Sequence, residues 1–83
     1  MSIEIYTTRT CPFCIRAKQL LDQKGASYTE IDVGADPALR DKMTKRAGKR
    51  SVPQIFVGGR SIGGCDDMMA LDRAGKLDAL LAA

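Results

Sequence analysis

Cys11 and Cys14 lie three positions apart, with Pro12 directly after the first. Two thiols at that spacing can close a small, readily reopened disulfide. Pro12 suits the first position of a helix, where its missing N–H costs nothing. Cys11 would then sit at the N-cap, its sulfur facing the free N–H groups of Phe13 and Cys14 and the positive end of the helix dipole. Arg9 and Arg16 add positive charge nearby. Such surroundings lower cysteine pKa values to roughly 3.5–7.5, and the thiolate is the nucleophile. Cys11 is therefore expected to be the exposed, ionised attacker. Cys14, one turn inward, is the less accessible resolving thiol.

Other cysteine chemistries fit less well. Buried free cysteine can serve as a small apolar residue. A zinc site wants four ligands, and the chain has no histidine and only Cys65 as a third thiol. No metal is expected. A c-type haem would need histidine where Ile15 stands. The lack of histidine also removes Cys–His hydrolase chemistry.

The elements that must hold these thiols follow from pattern. Ile3 to Thr7 alternates and is rich in β-branched and aromatic residues, which predicts a strand. A helix from Pro12 turns Cys14, Ala17, Leu20 and Leu21 inward and stops near Gly25. Tyr28 to Val33 reads as a second strand, with Thr29, Ile31 and Val33 on one face. Asp36-Pro37 opens a second helix with Leu39, Met43 and Ala47 inward, ended by Gly48. Gln54 to Val57 and Arg60 to Ile62 form a hairpin around Gly58-Gly59. A helix from about Asp66 to Ala74 follows, then a short amphipathic turn with Leu77, Leu80 and Leu81. The order is β-α-β-α-β-β-α plus a short C-terminal helix. The first two strands, joined by a helix, should be parallel, with a right-handed crossover.

At 83 residues the chain is expected to be a single domain, residues 1–83. Thirteen basic and ten acidic residues leave a net charge of +3, which suits anionic small molecules better than nucleic acid. An odd count of three cysteines argues against a secreted disulfide scaffold. The start Met1-Ser2-Ile3-Glu4 lacks the features of a signal peptide. No apolar run approaches the ~20 residues that span a bilayer. These readings predict a cytoplasmic chain that binds neither membrane nor nucleic acid, in a compartment where thiols stay mostly reduced.

Three blocks together resemble the glutaredoxin family: Cys11-Pro12-Phe13-Cys14, Ser51-Val52-Pro53-Gln54-Ile55-Phe56-Val57, and Gly63-Gly64-Cys65-Asp66-Asp67. Their order and spacing are similar to the short bacterial dithiol class, of the glutaredoxin 3 type, along essentially the whole chain. The resemblance implies an α/β thioredoxin fold, a four-stranded mixed sheet flanked by helices. It implies glutathione as co-substrate and a cis peptide before Pro53. That peptide would turn the Val52 N–H and C=O toward Cys11, where an extended peptide could pair with them. Gly63-Gly64 lets the backbone approach closely, and the N–H groups of Cys65 and Asp66 suit the γ-glutamyl carboxylate. Asp66 or Asp67 could take the γ-glutamyl ammonium; both residues also suit plain helix capping. Cys65 itself reads as packing.

Three positions depart from the family pattern. Phe13 stands where tyrosine is usual, Thr8 where lysine is common, with Arg9 beside it, and Ser51 where threonine usually precedes the Val-Pro pair. Lys42, Lys45, Arg46, Lys49 and Arg50 read as a solvated helix face. The functional alternative is that Arg50 or Lys49 holds the glycyl carboxylate of glutathione. The expected glutathione contacts are Arg9, Phe13, Arg50, Ser51, Val52, Pro53, Gly64, Cys65, Asp66 and Asp67.

The activity so implied is glutathione-dependent thiol–disulfide exchange through Cys11 and Cys14, in a monomer. Its clients would be glutathionylated or disulfide-bonded proteins, ribonucleotide reductase among them. Two alternatives remain: a 2Fe–2S cluster carrier ligated by glutathione, and a redoxin reduced by thioredoxin reductase. A glycine after the first cysteine favours the former in the family, and Pro12 stiffens the loop here. The Gly63–Asp67 block argues against the latter.

Overall fold

The computed structural model describes residues 2–82; Met1 and Ala83, the ends of the predicted domain, lie outside the described residues. The chain order is β1 (Ile3–Thr7), α1 (Pro12–Gln23), β2 (Thr29–Asp32), α2 (Pro37–Ala47), β3 (Gln54–Val57), β4 (Arg60–Gly63), α3 (Cys65–Arg73) and α4 (Leu77–Ala82). The strands form one mixed sheet in the order β2-β1-β3-β4. β1 and β2 are parallel, as their helical crossover requires. β3 runs antiparallel to β1 and to β4.

The register of β1 on β3 builds the site. Tyr6 lies opposite Gln54. The end of β1 therefore meets the start of β3, and the loops before α1 and before β3 come together.

Alternation along the strands splits the core between the two faces of the sheet. Ile3, Ile5, Ile55 and Val57 pack with Ala17, Leu20, Leu21, Met68 and Leu77 from α1, α3 and α4. Tyr6, Val33 and Phe56 pack with Met43 of α2 on the other face. The four residues predicted to turn inward from α1 are all buried. Asp36 caps α2, its Oδ1 accepting the N–H groups of Ala38 and Leu39 at 3.0 and 3.2 Å. Gly48 ends that helix at φ +76°, in the left-handed region that favours glycine.

The structure adjusts three boundaries. β2 is shorter than Tyr28–Val33 because it is an edge strand whose first two residues face water. Val33 is still buried and donates its N–H to the Thr7 carbonyl at 2.9 Å. β4 runs one residue further, to Gly63. α3 begins at Cys65 rather than Asp66, since Gly64 is the N-cap, and ends at Arg73.

Arg46 corrects the reading of the basic run as a solvated face. Its guanidinium stands 4.1 Å from the Phe56 ring centroid. It donates to the Tyr6 hydroxyl at 2.8 Å and to Glu4 at 3.2 Å. Helical spacing does not reveal which cation will meet Glu4 and Tyr6 across the sheet. At the opposite end, Lys24 joins α1 to Asp72 and Asp78 at 2.7 and 2.9 Å. Among the described residues, no helix is long and apolar enough to cross a membrane.

Candidate active site

Cys11 is the N-cap of α1, with extended backbone at φ −104° and ψ 105°. Its Sγ accepts the Cys14 N–H at 3.1 Å, the donation that a helix start offers an N-cap acceptor. The same sulfur lies 3.7 Å from the Val52 carbonyl oxygen, to which the thiol form donates. Cys11 is partly exposed, whereas Cys14 and Cys65 are buried, and all three are free thiols. Burial first, then the hydrogen bond with Cys11, pushes the Cys14 thiol up to about 12. Cys65 is also raised, by burial and then by the charge of Asp66. The pair thus has one accessible sulfur, and one held protonated behind it.

The Val52–Pro53 peptide is cis. Ser51, Val52, Pro53 and Gln54 line a groove of about 200 Å³ together with Phe13 of α1 and the start of α3. Two glycines permit that close approach. Gly63 is at φ +95°, and a Cβ there would collide with the Asp67 carboxylate. A Cβ on Gly64 would stand 3.2 Å from the Pro53 carbonyl oxygen. Asp67 Oδ2 accepts the Gly64 N–H at 2.9 Å, so Asp67 does take a capping role. The first intrahelical bond of α3 is Met68 N–H to the Gly64 carbonyl. The N–H groups of Cys65 and Asp66 precede it and have no acceptor within the helix.

Of the expected contact residues, Phe13, Ser51, Val52, Pro53, Gly64, Cys65, Asp66 and Asp67 converge on this groove. Arg9 and Arg50 do not. Arg9 lines a separate depression with Asp32 and Arg40, its side chain 92% exposed and 3.9 Å from Asp32. Arg50 turns toward α2, pairing with Asp41 at 3.0 Å, while its carbonyl accepts two bonds from Arg40. Lys49 lines the groove instead.

Gln54 is a site residue that the sequence reading passed over. It is buried, and its Nε2 donates to the Ser51 carbonyl at 2.9 Å and to Ser51 Oγ at 3.3 Å. An amide heading the apolar run Ile55-Phe56-Val57 was the available signal. Among the described residues, no three cysteine or carboxylate side chains converge as a metal site.

A glutaredoxin family model matches residues 3–62. A curated glutaredoxin of Pseudomonas aeruginosa is 56% identical over 81 residues, covering 98% of this chain and 96% of the relative. Glutaredoxin 3 of Escherichia coli is 52% identical over 80 residues, covering 96% of each. A crystal structure of a buckwheat glutaredoxin–glutathione complex superposes with a TM-score of 0.90 at 36% identity, over 96% of this chain and 76% of that one. The fold is the thioredoxin fold, and the family carries thiol–disulfide oxidoreductase chemistry. Likeness over nearly the whole length, and the paired cysteines at a helix start, place this chain in the glutaredoxin family.

Proposed function

We propose that this protein is a glutathione-dependent thiol–disulfide oxidoreductase, with Cys11 as nucleophile and Cys14 as resolving thiol. The observation that carries the reading is the Cys11 sulfur, partly exposed and 3.7 Å from the Val52 carbonyl beside the groove.

On a glutathione mixed disulfide, the Cys11 thiolate attacks the glutathione sulfur and the client thiolate leaves. A second glutathione thiolate then attacks the Cys11-bound glutathione. This releases oxidised glutathione and restores Cys11. On a protein disulfide, Cys11 bonds to one client sulfur and the other leaves as thiolate. Cys14 then gives up its proton and attacks Cys11 Sγ, freeing the second client thiolate. The client gains two electrons, and two glutathiones reduce the Cys11–Cys14 disulfide in turn. A Cys14 thiol near 12 stays protonated until then, which leaves the first attack to Cys11.

In this reading the glutathione backbone pairs with Val52, its γ-glutamyl carboxylate takes the Cys65 and Asp66 N–H groups, and Phe13 packs on its stem. Asp67 is engaged with Gly64, so Asp66 is the carboxylate for the ammonium. Lys49 serves the glycyl carboxylate better than Arg50 or Arg9, because it alone of the three lines the groove. The single domain acts as a cytoplasmic monomer on glutathionylated or disulfide-bonded clients, ribonucleotide reductase among them.

The test is NADPH consumption with glutathione, glutathione reductase and a small glutathione mixed disulfide. Turnover should be glutathione-dependent and lost in Cys11→Ser. Turnover supported by thioredoxin reductase, and not by glutathione, would overturn the reading.

A further inference from the structure

Cys14 must become a thiolate before it attacks Cys11, yet it is buried with its thiol near 12. The chain has no histidine to take the proton. Burial is the first cause of the high value. The hydrogen bond with Cys11 is the second, and the charge of Cys11 adds to it. Once Cys11 is bonded to a client sulfur its charge is gone, and both of its effects on Cys14 go with it.

Two groups pull the other way. One is the Thr8 backbone, which hydrogen-bonds the Cys14 sulfur; the other is the Lys18 ammonium. Lys18 stands four residues after Cys14, on the same side of α1. Helical side chains lean toward the N-terminus, which sets Lys18 over the turn that carries Cys14. The influence is mutual, since Cys14 in turn raises Lys18.

The ammonium is held from the neighbouring strands. Glu30 Oε2 of β2 accepts from Lys18 Nζ at 3.0 Å and from the Thr7 hydroxyl of β1 at 2.7 Å. Thr7 is itself buried. The bond to Glu30 keeps Lys18 above its ordinary value, so it is cationic at neutral pH. Tyr28 also faces Lys18, and Asp32 faces Glu30. Among the described residues, no carboxylate acts on Cys14 as strongly as Lys18 does.

We infer that Lys18, anchored by Glu30 and Thr7, is a positioning residue for the resolving step: its ammonium stabilises the Cys14 thiolate as the Cys11–Cys14 disulfide closes. In that step Cys14 gives its proton to solvent and its sulfur bonds to Cys11 Sγ. The Cys11–client bond breaks, and the client sulfur leaves with the electron pair. The inference rests on the resolving role proposed for Cys14 and adds the group that lets it ionise.

A neutral dipyridyl disulfide separates the two steps without glutathione. Attack by Cys11 releases one pyridinethione, in a phase whose rate grows with reagent concentration. Closure by Cys14 releases the second, in a phase that does not. Lys18→Met removes the charge and keeps the stem. An about tenfold smaller thiolate fraction, partly offset by an about threefold more reactive thiolate, should slow the second phase about threefold at pH 7. The first phase should slow far less. Lys18→Arg should restore the second phase, and high salt should narrow the gap between wild type and Lys18→Met.

A Cys14-dependent second phase that ignores Lys18→Met overturns the inference. So does an equal slowing of both phases, or a Lys18→Arg variant as slow as Lys18→Met, since the loss would then lie in the fold rather than in the charge. A second phase that survives Cys14→Ser overturns the resolving role itself, and the inference with it. Glutathione dependence is decided separately, by NADPH consumption.

Discussion

The sulfur of Cys11 and the carbonyl oxygen of Val52 stand 3.7 Å apart, across 41 positions of sequence. The contact joins the start of α1 to the cis peptide at Pro53 and sets the Cys11 sulfur beside the groove. Cys14 has no such access: it is 1% exposed. This division of labour gives the first prediction. Cys14→Ser should retain turnover of glutathione mixed disulfides and lose reduction of protein disulfides. Loss of both activities in a folded variant would refute the two-route scheme.

Labelling should separate the three thiols. Cys14 is buried with its thiol near 12, and Cys65 is buried and raised as well. Iodoacetamide at neutral pH should modify Cys11 at least about tenfold faster than the other two, since thiolate and access set the rate. Unfolding in urea should bring all three to similar rates. Mass spectrometry of the labelled peptides reads the order directly; equal rates in the native protein contradict it.

Gln54 should matter beyond its packing. Both bonds from its Nε2 hold Ser51, next to the residue that faces Cys11. Gln54→Leu leaves the Ser51 carbonyl unpaired and should cost about 1–3 kcal/mol of stability. It should also raise KM for a glutathione mixed disulfide more than it lowers kcat. A stability loss with KM unchanged would confine Gln54 to a structural role.

The Glu30 carboxyl is held below its ordinary value, first by the Thr7 hydroxyl at 2.7 Å and then by Lys18. A carboxyl lowered on folding stabilises the fold above the unfolded value of about 4.5, and that contribution fades as pH falls through the folded value. Thr7→Val keeps the buried shape and removes the donor. It should cost about 0.5–1.5 kcal/mol at pH 7, and the deficit should shrink below about pH 4. Urea midpoints across that range check the trend; a deficit independent of pH would assign the loss to packing.

Gly63→Ala combines a positive φ with a collision against Asp67. It should displace Asp67 from the Gly64 N–H and loosen the start of α3. Asp67→Ala removes the same bond without the collision and should cost about 1 kcal/mol, in the range of a lost cap. Thermal melts of the two variants should therefore rank Gly63→Ala as the less stable. The reverse order would mean that the loop relaxes around the new methyl group.

Most local structure was legible in the sequence because its causes are local. Cys11 before Pro12 and Asp36 before Pro37 start α1 and α2 through bonds reaching only two or three residues ahead. Alternation marked β1, and Gly48 and Gly58-Gly59 marked a helix end and a turn by their need for positive φ. The spacing of Cys11 and Cys14 named the chemistry before any fold was known. Other features depended on sheet order, for which short-range pattern carries no signal. Tyr6 opposite Gln54 brings residue 52 to residue 11. The meeting of α2 with the sheet turns Arg46 onto Tyr6, and the path of the chain after α2 puts Lys49 rather than Arg50 at the groove. Caps and periodicity act within a few residues of the chain, whereas these contacts join segments about 40 or more positions apart or hang on a single turn of backbone, and only the packed structure chooses among them.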